Sequence, residues 1–286
     1  MTQKHAFFSR NVRVGKYKTH YVEYGDGDPI VLIHGGGPGA SGEFNWRQAI
    51  PALAQHGRVI AVDMLGYGGT DKPTDVEYSH KTLVNHVSAF IDVLCLDKMY
   101  LGGNSLGAYV AARFSVDDPD RVKKLLLVSS GTIAHAMGLD PDKIVGVKAL
   151  AGFDGTKQSL REIFKVLMHH PENITEELLE ARFQTALQSG VAEAQRSFLN
   201  YMRTRLRNEP AQSQWFDLSH RLPRLGIPMK FVWGEHDVFA APSFVQELRV
   251  LLPAADFEVF DDSGHVAQND EPARFNKTAI DFFFGK

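Results

Sequence analysis

The sequence is poor in several features that would restrict what the protein can be. Of its 286 residues only Cys95 is a cysteine, which excludes an internal disulfide and a cysteine-rich metal site. No apolar run approaches the roughly 20 residues that a membrane-spanning helix needs, and the N-terminal residues lack the apolar stretch of a signal peptide. We therefore expect a cytoplasmic protein with no membrane partner. Because Cys95 lies in an apolar helical pattern, we also expect a packed, unreactive thiol.

The chain also lacks a surplus of basic residues. Its 31 Lys and Arg side chains face 34 Asp and Glu side chains, for a formal net charge of -3, so nothing favours nucleic acid as a partner. A hydrophobic content of 44% and a charged content of 23% are ordinary for a globular protein. The length suits one large α/β domain or two small ones.

Short apolar runs predict buried strands, and helical patterns lie between them. Near-continuous aliphatic runs are typical of parallel strands covered on both faces, and strands that alternate with helices predict an α/β fold with right-handed crossovers. The alternating segment 12–24 predicts an antiparallel hairpin at the start. The strands are predicted at 30–33, 59–62, 124–128 and 229–233, and helices at 46–56, 83–94, 106–116 and 271–284.

The alternation stops between about Gly131 and Gln212, where the patterns are helical throughout. Segments 160–168, 175–187 and 193–205 predict three helices with no strand between them. We interpret residues 132–212 as a helical cap, or lid, inserted into a core formed by residues 1–131 and 213–286.

The glycine-rich loop after the first parallel strand allows two interpretations. Gly35, Gly37 and Ala40 match the spacing of a dinucleotide-binding loop, and Asp63 ends the next strand, where a ribose-binding acid would lie. This match is weak, because Pro38 lacks a backbone donor inside the turn.

The second interpretation is an oxyanion loop, in which the backbone N–H groups of Gly36 or Gly37 point toward developing negative charge. It requires a nucleophile, and Gly103-Asn104-Ser105-Leu106-Gly107 supplies one. This G-x-S-x-G motif stands between a predicted strand and a predicted helix, which is the context of a nucleophile turn. The N–H of Leu106 would be the second oxyanion donor. The alternative is that Ser105 only caps the helix.

A serine nucleophile needs an acid and then a histidine later in the chain. Asp237 follows the late strand 229–233 and is preferred over its neighbours Glu235 and His236. His265 follows the next strand and turn. It would accept the serine proton and return it to the leaving group, while Asp237 would fix its tautomer.

Three other histidines receive no catalytic role. His34 precedes the glycine loop, and we expect it to brace that loop by hydrogen bonds. His169 and His170 are adjacent in the predicted cap, and no nearby acid or cysteine makes them a convincing metal site. We expect no metal and no cofactor.

These residues resemble the α/β-hydrolase superfamily over nearly the whole chain. More narrowly, the sequence is similar to the meta-cleavage product hydrolases, carbon–carbon hydrolases of aromatic degradation. The resemblance rests on the sequence segments 34–40, 45–47 and 103–105, and on segment 174–182 of the predicted cap. This last segment resembles a family segment that ends in a substrate-binding arginine.

The resemblance implies hydrolysis of a vinylogous 1,5-diketone to a 2-hydroxypentadienoate and a carboxylic acid. It implies that Ser105, Asp237 and His265 form the triad. Asn45, Asn104 and Arg182 would bind the dienoate end, with Arg182 holding the carboxylate of a small-molecule substrate. A homodimer or higher homo-oligomer is also implied.

Two positions concern the shape of the pocket, and two rival functions stay open. Phe239 could line the pocket or belong to the core. Val266 departs from the family pattern, which has an aromatic residue, usually tryptophan, after the triad histidine.

An esterase or lactonase would use the same triad, and a non-catalytic binding protein could share the fold. Arg182 could also be a solvated helix charge.

Overall fold

The computed structural model describes residues 7–144 and 146–285. Residues 1–6 and 286 of the predicted core, and residue 145 of the predicted cap, lie outside the described residues.

A single eight-stranded sheet organises the described chain, in the spatial order β1-β2-β4-β3-β5-β6-β7-β8. The first two strands form the predicted antiparallel hairpin, in which Val14 pairs with Tyr17, and the other six run parallel. The strands are Phe8–Val14 (β1), Tyr17–Tyr24 (β2), Pro29–Ile33 (β3), Arg58–Val62 (β4), Met99–Asn104 (β5), Val122–Val128 (β6), Met229–Gly234 (β7) and Asp256–Phe260 (β8). The α/β fold and its mostly parallel sheet are confirmed.

Helices cover both faces of this sheet. The helices outside the β6–β7 connection are Gly42–Trp46 (α1), Ile50–Leu53 (α2), His80–Val93 (α3), Leu106–Asp117 (α4), Phe244–Leu251 (α12), Ala267–Asp270 (α13) and Pro272–Phe284 (α14). Helices α3 and α4 cover one apolar face of the sheet, and α1, α2 and α14 cover the other. The single helix expected over 46–56 is wrong: α1 ends at Trp46, and the short helix α2 begins at Ile50 with Pro51 in its first turn, where proline is favoured.

The described residues of the connection between β6 and β7 form helices joined by turns and contain no strand. It comprises Gly131–Ala136 (α5), Gly146–Ala151 (α6), Lys157–Leu167 (α7), Glu176–Ala186 (α8), Val191–Arg203 (α9), Arg205–Asn208 (α10) and Pro210–Phe216 (α11). Leu160, Phe164 and Leu179 form a third apolar cluster together with Phe239 and Val266 of the core. The cap extent of 132–212 remains our proposal.

One expectation about the fold is wrong. Cys95 is exposed and lies beyond α3, which ends at Val93, with a left-handed backbone at φ +52°. The apolar pattern carried the expected helix too far, because Leu94 already closes its last turn. The thiol is therefore not packed.

Within 7–144 and 146–285, none of the helices combines the length and the apolar character required to cross a membrane.

Candidate active site

Ser105 occupies a strained turn between β5 and α4. Its backbone adopts φ +55° and ψ -118°, and its side chain makes no capping hydrogen bond to the helix. A non-glycine residue rarely adopts a positive φ, and such strain persists only where the surroundings impose it. The hydroxyl therefore does not serve to start the helix, and the turn presents it at the carboxyl edge of the sheet.

The two glycines of the motif let the backbone close around this turn. A Cβ at Gly103 would overlap the carbonyl of Gly107, and a Cβ at Gly107 would overlap the carbonyl oxygens of Ile33 and His34. Helix α4 thus packs directly against the end of β3. Ser130 completes the support, because its hydroxyl donates a hydrogen bond of 2.7 Å to the carbonyl of Ser105.

Asp237 and His265 meet at the ends of β7 and β8. Nδ1 of His265 lies 2.9 Å from Oδ2 of Asp237, and both side chains are buried. The other carboxylate oxygen of Asp237 accepts hydrogen bonds of 2.8 Å from the N–H groups of Phe239 and Ala240. Glu235 and His236, the weaker candidates, are exposed.

The outer nitrogen of His265 faces the cavity that Ser105 also lines. Among the described residues, its buried Nε2 has no hydrogen-bond partner. Hydrogen bonds between a catalytic base and its nucleophile often shorten only when substrate is bound. The ring of Phe239 stacks on the imidazole at 4.4 Å between centroids and lines the same cavity.

The loop that carries His265 is fastened to the helical connection above it. The N–H of His265 donates to the carbonyl of Leu167, at the end of α7, over 2.8 Å. Asp270 accepts hydrogen bonds from the backbone N–H groups of Gly264, His169 and His170. Burial raises the pKa of this Asp270 carboxyl.

The glycine loop lines the same cavity on the other side. Gly37 has φ +108°, a backbone conformation that glycine adopts freely. Among the described residues, no acceptor receives a hydrogen bond from the N–H of Gly36 or Gly37. His34 braces the loop as expected, since its Nδ1 lies 2.6 Å from the Gly35 carbonyl and its Nε2 accepts from the Met64 N–H.

Asp63 does not point toward a nucleotide site. Its Oδ1 accepts a hydrogen bond from the N–H of Gly42, and its Oδ2 accepts from Gly69 and contacts His20. The carboxylate therefore caps α1 and fixes neighbouring loops. Asp63 is therefore not available to bind a ribose, as the dinucleotide interpretation of the glycine loop would require.

Arg182 is buried although it carries a charge. It is only 6% exposed, its Nε donates to the carbonyl of Pro38 over 2.9 Å, and its guanidinium lies over the rings of Phe44 and Phe164. Burial lowers the pKa of this guanidinium to about 9. Within the described chain, no carboxylate forms an ion pair with Arg182, which lines the cavity. The alternative of a solvated helix charge is wrong.

The two asparagines differ in what their side chains can offer. Asn104 is already engaged: its Nδ2 donates to the carbonyls of Val128 and His265, and its Oδ1 accepts from Nδ2 of Asn45. The Oδ1 of Asn45 is buried and has no hydrogen-bond partner among the described residues. Asn45 can therefore accept a hydrogen bond from a ligand, while Asn104 holds the site together.

Leu106 and Val266 form apolar walls of the cavity. Leu106 is the first residue of α4, so its N–H lies at the positive end of the helix dipole. Val266 is 7% exposed and packs in the third apolar cluster.

Sequence patterns did not identify one part of the lining. Helix α9 and the start of α3 contribute His80, Gln195, Phe198, Leu199 and Met202. Their spacing on α9 is that of any amphipathic helix, so no local pattern distinguishes a cavity wall from an ordinary packed face.

The expectation that His169 and His170 lack a nearby acid is wrong. Asp262 approaches them through the fold, with its oxygens 3.4 Å from Nε2 of His169 and 3.0 Å from Nε2 of His170. Hydrogen bonds to Glu172 and Asp262 raise the pKa of His170. The three side chains have metal-ligand spacing, but they are largely exposed and their mutual contacts account for the arrangement.

Comparison with known proteins agrees with this architecture. The family model for the alpha/beta hydrolase fold matches residues 28–272. A 2-hydroxy-6-oxononadienedioate/2-hydroxy-6-oxononatrienedioate hydrolase of Paraburkholderia phymatum is 33% identical over 269 residues, which are 93% of this chain and 90% of that protein. A 2-hydroxy-6-oxo-2,4-heptadienoate hydrolase of Pseudomonas putida is 29% identical over 99% of this chain and 98% of its own.

Solved structures give the same result. A meta-cleavage product hydrolase from Pseudomonas fluorescens superposes with a TM-score of 0.81 at 28% identity, covering 96% of this chain and 97% of its own. A 2-hydroxy-6-oxo-6-phenylhexa-2,4-dienoate hydrolase from a Rhodococcus strain has a TM-score of 0.84 at 25% identity, covering 97% and 99%. The chain belongs to the α/β-hydrolase family and, within it, to the group of the meta-cleavage product hydrolases.

Proposed function

We propose that the protein is a serine-dependent hydrolase that cleaves a carbon–carbon bond in a 2-hydroxy-6-oxo-hexa-2,4-dienoate. The observation that carries the proposal is the guanidinium of Arg182, buried without a carboxylate partner on the cavity shared by Ser105 and His265. An unpaired buried charge is costly, and a ligand carboxylate would remove that cost. The names of the relatives support the same chemistry.

The dienoate end of the substrate binds beside the glycine loop. Arg182 pairs with the C1 carboxylate, and the free Oδ1 of Asn45 accepts a hydrogen bond from the adjacent 2-hydroxyl group. Asn104 positions both Asn45 and the backbone of His265. The remainder of the substrate extends past Ser105, which places the C6 ketone near the nucleophile.

Cleavage requires an electron sink, because a simple carbanion is a poor leaving group. The 2-hydroxyl proton is lost and C5 gains a proton, with His265 as the carrier, so that C2 becomes a ketone. Ser105 then adds to C6 while His265 accepts its proton. When the C5–C6 bond breaks, its electron pair moves through the C3–C4 double bond onto the C2 oxygen. His265 returns the serine proton to that oxygen, so 2-hydroxypentadienoate is released and the imidazole is neutral again.

The remaining groups stabilise charge. Asp237 holds the imidazole in one tautomer and stabilises its protonated form. The N–H groups of Gly36 or Gly37 and of Leu106 bind the oxyanion that forms at C6. Water then hydrolyses the acyl-serine to a carboxylic acid, with His265 as the base.

The rival on this scaffold is a carboxylesterase or lactonase, and Arg182 separates the two. With R182Q we expect kcat/KM for a yellow dienoate to fall at least 100-fold. The assay measures the loss of the visible absorbance of the dienoate. Hydrolysis of a neutral p-nitrophenyl ester should change less than threefold, because that substrate brings no carboxylate. R161Q, which alters a half-buried arginine paired with Glu176, is the matched control.

Two results would overturn the proposal. Cleavage of neutral esters without bleaching of any phenyl or alkyl dienoate would establish the esterase. Failure of a fluorophosphonate to label Ser105, with no turnover of either substrate class, would establish a non-catalytic binding protein.

The proposal also includes a cytoplasmic location and a homodimer or higher homo-oligomer. The location rests on the composition of the sequence, and the assembly rests on the family resemblance. Light scattering coupled to size-exclusion chromatography tests the assembly, and a mass of one 31.8 kDa chain would contradict it.

A further inference from the structure

The cavity contains a second polar position that the proposed chemistry does not use. His80 begins α3, is fully buried and lines the cavity. Among the described residues, neither of its ring nitrogens has a hydrogen-bond partner. A buried donor or acceptor left unpaired costs about 1–3 kcal/mol, so this imidazole requires an explanation.

An aromatic enclosure holds the imidazole in place. Its ring lies 4.8 Å from Tyr109, 5.1 Å from Phe198, 5.7 Å from Tyr201 and 4.7 Å from Phe216, measured between centroids. Burial lowers the pKa of His80 to about 3. The ring is therefore neutral at physiological pH, with one nitrogen as donor and the other as acceptor.

Helix α9 contributes an independent polar group to the same region. Gln195 lines the cavity, and its Nε2 is buried without a hydrogen-bond partner in the described chain. Phe198, which contacts His80, lies one turn further along the same helix. Two elements thus place unpaired polar atoms beside one aromatic wall.

This region is distinct from the one that holds Arg182. Arg182 contacts Pro38, Phe44 and Phe164, and none of these contacts His80. The apolar cluster around Arg182 joins α7 and α8 to Val266, whereas the rings around His80 contact the main core. With the dienoate carboxylate on Arg182, the group on the far side of Ser105 is the acyl substituent.

Among the described residues that line the cavity, Arg182 is the one lysine or arginine. With Arg182 engaged by the dienoate carboxylate, the lining offers no second such cation to compensate another carboxylate. A purely alkyl or phenyl group would leave His80 and Gln195 unpaired. An aryl ring with a neutral hydroxyl or amino group satisfies both requirements, since the ring packs against the aromatic wall and the polar atom pairs with His80.

We propose that His80 and Gln195 form an acyl-side subsite that selects a substituent bearing an uncharged hydrogen-bonding group, such as a hydroxyaryl or aminoaryl ketone. This inference rests on the proposed function. It makes His80 a specificity-determining residue, because it contacts the substituent and not the reacting atoms.

The test compares kcat/KM for three dienoates that differ only in the acyl group: 2-hydroxyphenyl, phenyl and 2-carboxyethyl. We expect the native enzyme to favour 2-hydroxyphenyl over each of the others at least tenfold, because sites built around a polar group discriminate against analogues that lack it. H80F should reduce the hydroxyphenyl-to-phenyl ratio to about one, and Q195L should reduce it partly. H56F, which alters an exposed histidine stacked on Phe284, should leave the ratio unchanged.

A ratio near one in the native enzyme overturns the inference while leaving the carbon–carbon hydrolase intact, as does a ratio that H80F and Q195L both preserve. A preference for the carboxyethyl substrate overturns it as well. If H80F does not fold, Q195L alone decides. Absence of bleaching with all three substrates contradicts the proposed function itself and with it this subsite.

Discussion

Val266 stands where the family resemblance predicts an aromatic residue. It lines the cavity and packs beside Leu167 and Phe239. The family's aromatic side chain at this position would bury a far larger surface. We therefore expect the smaller valine to leave room for substrate that an aromatic side chain would occupy.

Replacing Val266 by tryptophan should refill that space. We expect V266W to raise KM for dienoates with a bulky aryl ketone at least fivefold and to affect methyl ketones less, because the added ring excludes the larger group. Steady-state kinetics on the two substrates measures the effect. V250W, at an exposed position on α12, is the control, and equal loss on both substrates would contradict the steric explanation.

At the scale of elements, contact between α4 and β3 positions the nucleophile. Gly107 allows this contact, because any side chain there would meet the backbone of Ile33 and His34. Backbone atoms cannot rotate away as a flexible side chain can. The whole helix, and Ser105 at its start, would have to move.

G107A should therefore destabilise the protein and also reduce the reactivity of Ser105. We expect a loss of about 1–3 kcal/mol in the free energy of unfolding, as for other overpacked sites, and slower labelling of Ser105 by a fluorophosphonate. Urea denaturation and labelling kinetics measure the two effects. Gly226 has open space around it, so G226A should remain within about 0.5 kcal/mol; a similar loss in both variants would contradict the packing explanation.

The sequence predicts those elements that depend on local periodicity. Most strands and helices lie where the apolar patterns place them, and the G-x-S-x-G context predicts the strand–turn–helix around Ser105. Local patterns do not predict which distant segments come into contact. Asp262 beside His169 is one example, and His80 facing α9 is another.

Single residues show the same division. The burial of Arg182 could not follow from its acidic neighbours on α8, because it depends on Phe44 and Phe164 from other segments. The full engagement of Asn104 likewise depends on Val128 and on the backbone of His265. Resemblance to the family anticipated where these residues lie, but not what they contact.

For the whole molecule, buried histidines link stability to pH. Burial lowers the pKa of His34, and lowers that of His80 to about 3 and that of His86 to about 4. The neutral tautomer of His86 is fixed between Thr19 and the N–H of Leu65. These rings stay neutral in the folded chain, whereas the unfolded chain protonates them below about pH 6.5.

Acid should therefore destabilise the fold well before carboxylates titrate. Since the unfolded state binds more protons, stability is complete above about pH 6.5 and falls as pH decreases toward 4. The expected slope is about 1 kcal/mol per pH unit for each such histidine. Urea midpoints at pH 7.5, 6.5 and 5.5 measure it. H80F removes one of these groups and should reduce the slope; an unchanged slope would contradict the assignment.

The backbone of His265 donates a hydrogen bond to the end of α7, and Asp270 accepts hydrogen bonds from the two residues that follow that helix closely, His169 and His170. The proposed base is therefore bonded directly to the helical connection that covers the cavity. A displacement of α7 would therefore also displace the backbone of His265, so the geometry of the proposed base depends on how the helical connection packs over the cavity.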